Sequence, residues 1–350
     1  MVQIVFDRMH GGADSRALID FSVSTNPFGP PPAALDAYHR AAEAIGSYPE
    51  PYAATLTAAI AASLGVAPAN VLAGNGSTQL IYLIARVLRP LRPVVVIPTF
   101  SEIANSLLTL PATAVPVLLR RDHRFRLEMD AIDEALAGGA DALFLGRPNS
   151  PTGICIDVAQ MTAIVRRCST RGCWCVVDEA FIDFADDPAS AVALIHQHGR
   201  LIVLRSMTKL YAVPGLRLGY LVAAEGVVAN LAHALEPWSV SAPSAAVGIA
   251  CLAQPDSWRS RIRTALRRER EHLEDGLAAI SGCDVFPSNA NFLTFAVPLG
   301  ASPFAEHMRA NEIVVRDLAA LPGAGPGLYR IGVHSRTDND RLLEAVRSYR

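Results

Sequence analysis

Residues 201–222 read LIVLRSMTKLYAVPGLRLGYLV, and this stretch decides the fold. The apolar runs at its two ends are typical of strands buried in the interior of a sheet. Between the runs lie Ser206, Thr208 and Lys209, followed by a Pro-Gly turn and Arg217. A lysine amine in so apolar a setting carries a desolvation cost, so we expect this amine to have a chemical task.

Similar apolar runs lie on the N-terminal side of this stretch and alternate with helical patterns. Strands are predicted at 94–98, 142–146, 173–180, 201–206 and 216–224, and helices at 77–89 and 157–172. Strands that are apolar on both faces, with helices between them, indicate a mostly parallel sheet covered by helices. The predicted fold class is therefore α/β, with a large domain at residues 45–240.

The pattern changes after residue 245. A long charged helix is predicted at 257–280, followed by short strands at 291–297, 312–317 and 327–333. Strands and helices in this arrangement indicate a smaller α+β domain. We assign residues 245–350 to it, together with the Pro-rich N-terminal segment 1–44.

Composition and charge narrow the range of partners. The chain has 350 residues, of which 51% are hydrophobic and 18% charged, and its formal net charge is −2. This excludes a disordered protein and gives no basic surface for nucleic acid or for an acidic membrane. The six cysteines form no CxxC pair and no metal-binding spacing, so reduced thiols and no metal site are expected. Without a signal peptide or a membrane-spanning run, we expect a cytoplasmic protein with a small-molecule partner.

Polar residues gather where the predicted strands end, and ligands bind at that edge of α/β sheets. The run GNGST at 74–78 leads into a helix, where free backbone N–H groups favour an anion. Asp178 ends a second strand, Asn149 and Ser150 follow a third, and Lys209 follows a fourth. A capping serine, a capping acid and an ordinary turn would explain the first three one at a time. Their order along one sheet indicates a shared ligand.

The four strand ends describe a ligand with a phosphate, an aromatic nitrogen that needs an anionic partner, and an aldehyde that needs an amine. Pyridoxal 5′-phosphate has all three. A lysine forms a Schiff base with it, and a carboxylate beside the ring nitrogen keeps that nitrogen protonated. Lys209 and Asp178 are therefore the predicted catalytic residues.

Four motifs resemble those of the fold-type I, class I/II aminotransferases over essentially the whole chain. They are GNGSTQLI (74–81), RPNSPTG (147–153), DEAF (178–181) and SMTKLYAVPGLRLGY (206–220). Within this group the chain most resembles the threonine-phosphate decarboxylases of cobalamin synthesis, and next the histidinol-phosphate aminotransferases. That closer resemblance depends on MHGG (9–12), DFSVSTNPFGPP (20–31), DEAFIDF (178–184) and PWSVSA (237–242).

The resemblance implies the type I fold of pyridoxal-phosphate transferases and a role for each matching residue. The implied cofactor-binding residues are Tyr48, Gly76, Ser77, Thr78, Phe100, Asn149, Ser150, Asp178, Phe181, Ser206, Thr208, Lys209 and Arg217. Tyr48 would reach the neighbouring active site of a homodimer. Two positions depart from the family. Ser150 stands where an asparagine is usual and Phe181 where transaminases carry tyrosine, so hydrogen bonding to the cofactor's ring oxygen differs.

The resemblance also implies a substrate side formed by His10, Asn26, Arg316 and Arg330. Arg330 matches the arginine that binds the substrate carboxylate, and Arg316 is placed for a second anionic group. The expected reaction is decarboxylation of L-threonine O-3-phosphate to (R)-1-amino-2-propanol O-2-phosphate. Transamination of histidinol phosphate or a related amino acid remains the alternative.

Overall fold

The computed structural model describes residues 11–12, 18–298, 300 and 303–349. The first elements are β1 (Ile19–Asp20), α1 (Pro32–Ala41), α2 (Ala54–Leu64), β2 (Val71–Asn75), α3 (Gly76–Leu88), β3 (Pro93–Ile97), α4 (Ser101–Leu107), β4 (Val115–Leu118) and α5 (Met129–Ala137). Next come β5 (Ala142–Gly146), α6 (Val158–Thr170), β6 (Trp174–Asp178), β7 (Leu201–Ser206), β8 (Leu218–Ala223), α7 (Glu225–Ala234) and α8 (Ala242–Leu252). The last are α9 (Asp256–Ala278), β9 (Asp284–Val285), β10 (Phe292–Ala296), α10 (Phe304–Ala310), β11 (Ile313–Val314), β12 (Arg316–Asp317), β13 (Leu328–Gly332) and α11 (Arg336–Ser348).

A seven-stranded sheet forms the centre of the protein, in the order β2-β8-β7-β6-β5-β3-β4. The strands from β3 to β7 pair in parallel, whereas β8 runs antiparallel to both β7 and β2. Every residue of β3, β5, β7 and β8 is buried, as expected of strands covered on both faces. The predicted α/β class with a mostly parallel sheet is confirmed.

A second sheet has four antiparallel strands, in the order β12-β13-β10-β9. A separate two-stranded pair, β1 with β11, ties the N-terminal segment to this part of the chain. The small-domain strands 291–297 and 327–333 were predicted close to their observed bounds. Residue 245 lies inside α8, which packs against α1 and α2, and the two-domain division stays a prediction.

Several strands differ from the sequence prediction, which contained neither of the two-residue strands β1 and β9. The edge strand β4 was not predicted, because two of its four residues are exposed and it contains Pro116. The single strand predicted at 312–317 is two short strands, β11 and β12, in different sheets. The buried Val315 lies between them, where the chain passes from one sheet to the other.

The register of the large sheet brings the functional segments to one edge. Gly146 lies opposite Asp178, and Asp178 lies opposite Leu204, so the residues that follow β5, β6 and β7 meet there. Gly219 of β8 lies opposite both Ser206 and Gly74. The start of α3 therefore joins the same edge. Within the described ranges, no helix has the length and apolar character needed to cross a membrane.

Candidate active site

A cavity of about 500 Å³ opens at this edge, and residues of both sheets line it. A volume of this size suits a small-molecule ligand. The predicted site residues that line it are Gly76, Ser77, Thr78, Phe100, Ser150, Asp178, Phe181, Ser206, Thr208, Lys209, Arg217, Arg316 and Arg330. The fold thus brings together side chains from every motif that the strand-end reasoning selected.

Lys209 lies in the turn after β7 and lines the cavity. Its Nζ is 5.8 Å from the centre of the Phe181 ring. Burial lowers the pKa of Lys209 to about 8, and the positive charges of Arg330 and Arg217 add to this effect, which Asp178 partly opposes. The neutral amine is the nucleophilic form, and the lowered pKa gives this lysine a larger neutral fraction near pH 7 than an ordinary lysine has.

Asn26 holds the Lys209 segment in place and is not among the residues that line the cavity, and its substrate role stays a prediction. Its backbone N–H donates to the Lys209 carbonyl at 3.0 Å. Its side-chain amide donates to the carbonyl of Leu210 at 3.0 Å, and its side-chain oxygen accepts from the Phe28 N–H. The polar atoms of the Asn26 side chain therefore make hydrogen bonds with backbone groups.

Asp178 ends β6 and lines the cavity at its sheet side. Burial raises the pKa of Asp178 to about 6, while the hydrogen bond from the Ala180 N–H and the charge of Lys209 lower it. A carboxylate at the floor of a cavity can bind one protonated nitrogen of a ring ligand. A protonated nitrogen at that point would favour the ionised carboxylate.

Glu179 is fully buried and belongs to a separate network behind the cavity. It pairs with Arg147 at 3.0 Å, accepts from the Ala191 N–H at 2.9 Å, and accepts from the Ser190 hydroxyl. Arg205 Nη1 lies 3.9 Å from Glu179 Oε2, the oxygen that accepts from the Ser190 hydroxyl. All its acceptors point into protein, so the adjacent acids Asp178 and Glu179 have separate tasks.

The start of α3 forms an anion site with β8. Asn75 is the N-cap and makes no side-chain capping bond, so Ser77 is not the cap of this helix. Gly76 has φ +76°, and a Cβ there would lie 2.7 Å from Nη2 of Arg217. A Cβ on Gly219 would lie 2.4 Å from the Ser77 nitrogen. The two glycines therefore let the helix N-terminus, the strand and the Arg217 guanidinium converge.

Two hydroxyls complete this anion site on the β7 side. Ser206 and Thr208 are buried, and their oxygens are 2.8 Å apart. Each hydroxyl has one proton to donate, and only one of the two is used in their mutual bond. The remaining proton and the N–H groups of the first turn of α3 suit a phosphate, with Arg217 supplying positive charge.

Arg330 and Arg316 form the opposite wall, on paired residues of β13 and β12. Arg330 donates to Ser150 Oγ at 3.0 Å and to the Ser22 carbonyl at 2.8 Å. Among the described residues, its buried Nε has no hydrogen-bond partner. Burial, together with the charge of Arg316, lowers the pKa of Arg330 to about 10. The two guanidinium groups give this wall a positive charge that would favour an anionic ligand.

Three further predicted residues lie away from the cavity or outside the described ranges. Asn149 is buried, and its amide donates to the Pro98 carbonyl and to Thr152 Oγ1, both at 2.9 Å. Its side-chain oxygen is buried without a hydrogen-bond partner among the described residues, and its cofactor role stays a prediction beside that of Ser150. Tyr48 is 85% exposed and packs on Trp238 at the surface. His10 lies outside the described residues.

The cavity also contains residues that the sequence reasoning did not select. Ser22, Ser24, Glu102, Leu318 and Leu321 all line it. Ser22 and Ser24 belong to the quoted motif DFSVST, but residues 21–23 form a turn and a bend, and Val23 between the two serines also lines the cavity, so strand-like alternation does not identify them. The carboxylate of Glu102 accepts from the Tyr82 hydroxyl at 2.7 Å and the Asn105 amide at 3.0 Å, partners that the sequence does not reveal.

Comparisons with known proteins agree over nearly the whole chain. The family model for aminotransferase class I and II matches residues 16–346. The chain is 33% identical to threonine-phosphate decarboxylase of Salmonella typhimurium, over 98% of this chain and 97% of that protein. It is 32% identical to histidinol-phosphate aminotransferase 2 of Archaeoglobus fulgidus, over 95% and 93% respectively.

A solved structure with bound cofactor shares the fold. It is the histidinol-phosphate aminotransferase from Sinorhizobium meliloti in complex with pyridoxal-5′-phosphate, with a TM-score of 0.83 and 23% identity. The match covers 93% of this chain and 88% of that one.

Proposed function

Because the chain belongs to the class I and II aminotransferase family, we propose that it decarboxylates L-threonine O-3-phosphate to (R)-1-amino-2-propanol O-2-phosphate. Its cofactor is pyridoxal 5′-phosphate. When bound, this cofactor supplies an aldehyde that captures the substrate amine and an electron-poor ring that takes up the electron pair of the broken bond.

The residues of the cavity fit this cofactor. Gly76, Ser77 and Arg217 leave a cradle beside the N-terminus of α3 that a Cβ would fill, and the phosphate is the group that suits it. Asp178 would hold the ring nitrogen and Lys209 the aldehyde. The desolvated amine of Lys209 and the carboxylate of Asp178 have the chemistry that these two positions require.

The proposed substrate follows from one observation, the pairing of Arg316 with Arg330 on the cavity wall. Residues directly opposite each other on antiparallel strands share a face, so both guanidinium groups serve the same side of the cavity. L-Threonine O-3-phosphate carries two anionic groups, a carboxylate and a phosphate. We assign the carboxylate to Arg330, whose Nε–H is buried and unused within the described residues, and the phosphate to Arg316.

The residues of this chain have defined tasks in the reaction. Arg330 and Arg316 orient the substrate, and Asp178 keeps a negative charge at the ring nitrogen. The bond between the α-carbon and the carboxylate breaks, and CO₂ leaves. The amine of Lys209 would carry a proton at Nζ and deliver it to the α-carbon. The proton replaces CO₂, so neither an oxidant nor an amino acceptor is needed.

Transamination is the alternative, and the 32% identity to a histidinol-phosphate aminotransferase supports it. In that reaction Lys209 would remove the α-proton instead of delivering one. The amino group would then pass to a keto acid. The same cavity residues could bind histidinol phosphate through its single phosphate, so the two reactions differ chiefly in their need for an acceptor.

One assay separates them. Purified, cofactor-loaded protein is mixed with L-threonine O-3-phosphate without any keto acid, and CO₂ is measured, with Lys209→Ala as the control. We expect CO₂ from the unaltered protein and none from the variant. Turnover that appears only with 2-oxoglutarate, or only with histidinol phosphate, would contradict the proposal.

We also propose a homodimer in which Tyr48 reaches the neighbouring active site. Several aromatic side chains are exposed, four of them within residues 28–52 and one in the loop after α7. They are Phe28, Tyr38, Tyr48, Tyr52 and Trp238. Exposed apolar groups of this kind are typical of a subunit interface. The cytoplasm remains the proposed location, with no role proposed for nucleic acid.

A further inference from the structure

Ser24 is a buried hydroxyl in the wall of the active-site cavity. The residue is 3% exposed, and its Oγ has no hydrogen-bond partner in the described part of the chain. It lines the cavity together with Ser22 and Val23. A buried hydroxyl without a partner carries a free-energy cost, and native proteins contain few of them. Its position in the wall indicates that a ligand supplies the missing partner.

The segment that carries Ser24 connects two parts of the site. Two residues before it, the Ser22 carbonyl accepts a hydrogen bond from Arg330 at 2.8 Å. Two residues after it, the Asn26 N–H donates to the Lys209 carbonyl at 3.0 Å. Ser24 is therefore held on the wall between the proposed carboxylate arginine and the proposed cofactor lysine.

The neighbouring serine does not share this property. The hydroxyl of Ser22 donates to Asp20 Oδ1 at 2.5 Å and accepts from the Gly12 N–H at 2.8 Å. Its hydrogen-bonding capacity is used within the protein. Of the two serines on this segment, Ser24 alone keeps an O–H that can be directed to a ligand.

We propose that Ser24 determines reaction specificity by donating a hydrogen bond to the substrate carboxylate beside Arg330. This inference rests on the proposed function, since it concerns the carboxylate of L-threonine O-3-phosphate. A substrate whose amine lies near Lys209 and whose carboxylate lies at Arg330 places that carboxylate against the wall between them.

Two donors from different elements fix the direction in which the carboxylate leaves the α-carbon. The orientation of the carboxylate decides whether the α-carbon loses CO₂ or its proton. By holding the carboxylate from a second side, Ser24 would favour loss of CO₂ over loss of the α-proton. Such positioning of a reacting group contributes to rate through orientation.

The test compares the substrate with its own product, which differs by lacking the carboxylate. Dissociation constants of both are measured by calorimetry. The protein is cofactor-loaded Lys209→Ala, in which the bound substrate is not turned over. It is compared with the same protein carrying Ser24→Ala or Ser24→Thr in addition. We expect Ser24→Ala to weaken substrate binding about tenfold, as for a hydrogen bond to a charged group, and to leave product binding within about twofold. Ser24→Thr keeps the hydroxyl and should restore substrate affinity.

A second readout uses the same Ser24 variants with Lys209 intact. We expect Ser24→Ala to raise the share of turnovers that leave the amino group on the cofactor instead of releasing CO₂. Equal losses of affinity for substrate and product, or no loss for either, would overturn the inference. If unaltered protein releases no CO₂, the proposed function fails and this inference fails with it. That failure appears in the unaltered protein and is thus distinct from a failure seen only in Ser24→Ala.

Discussion

Replacing Arg330 by methionine tests the substrate side of the site and leaves in place the groups proposed for the cofactor phosphate, although it removes the hydrogen bond to Ser150 and a positive charge near Lys209. Methionine keeps an unbranched apolar stem in contact with the Phe292 ring, which lies 5.3 Å from the guanidinium carbon. The groups proposed for the cofactor phosphate come from the start of α3, the end of β7 and the segment between β7 and β8, whereas Arg330 comes from β13. We therefore expect the variant to bind pyridoxal 5′-phosphate and to lose efficiency with the substrate.

The size of the loss follows from the hydrogen bonds of Arg330. Arginine has five N–H donors, and two of them serve Ser150 and Ser22. The remaining N–H groups, including the unused Nε–H, are sufficient for a two-bond contact with a carboxylate. At about 1.5–3 kcal/mol for each hydrogen bond to a charged group, two such bonds contribute about 3–6 kcal/mol. This corresponds to a fall in kcat/KM on the order of 10²- to 10⁴-fold.

The assay is kcat/KM for CO₂ release, with visible absorbance as the measure of bound cofactor. Arg341→Met is a matched control, because Arg341 forms a surface ion pair with Glu312 and does not line the cavity. The melting temperature of cofactor-free Arg330→Met is measured beside kcat/KM, because the variant also loses the hydrogen bonds to Ser150 Oγ and to the Ser22 carbonyl. Unchanged kcat/KM in Arg330→Met would show that this arginine does not hold the substrate.

Three further outcomes test the cofactor side and the dimer. In cofactor-free protein the pKa of Asp178 is raised from 3.8 to about 6. Its contribution to the free energy of unfolding is therefore fully present below pH 4 and is lost as the pH rises through 6. The free energy of unfolding of Asp178→Asn should then exceed that of the parent by up to about 3 kcal/mol above pH 6 and should equal it at pH 4. A difference that does not change with pH would contradict this. The rate of cofactor loading should rise with pH around 8, where Lys209 becomes neutral, and a midpoint near 10.5 would refute the lowered pKa. In the proposed homodimer, the Tyr48→Ala and Lys209→Ala proteins should each be inactive, and mixing them should restore activity, because one site of each hybrid has both residues. No recovery would show that Tyr48 does not act across subunits.

The central sheet could be predicted because its strands are apolar on both faces. Such runs stand out in a sequence whatever their neighbours, and β3, β5, β6 and β7 were found this way. The edge strand β4 was missed because solvent-facing residues interrupt its apolar run. The pairing of β11 with β1 lies beyond sequence reasoning, since it joins residues almost 300 positions apart.

The candidate site divides in the same manner. Lys209 and Asp178 could be selected because a charge at the end of a buried strand needs an explanation. Asn26 and Asn149 were assigned to ligands, and these roles stay predictions; their amide groups donate to carbonyl groups and a hydroxyl that only the fold brings near. Ser24 was missed because a serine in a short polar segment is unremarkable until its burial and lack of a partner are known.

The most direct measurement follows the carboxyl carbon and the α-carbon of the substrate together. L-Threonine O-3-phosphate labelled with ¹³C in its carboxylate is incubated in D₂O with cofactor-loaded protein and no keto acid. We expect one equivalent of ¹³CO₂ for each (R)-1-amino-2-propanol O-2-phosphate, and one deuterium at the carbon that carried the carboxylate. Retention of the ¹³C label in a keto acid, with the amino group transferred to the cofactor, would contradict the proposed decarboxylation and favour transamination.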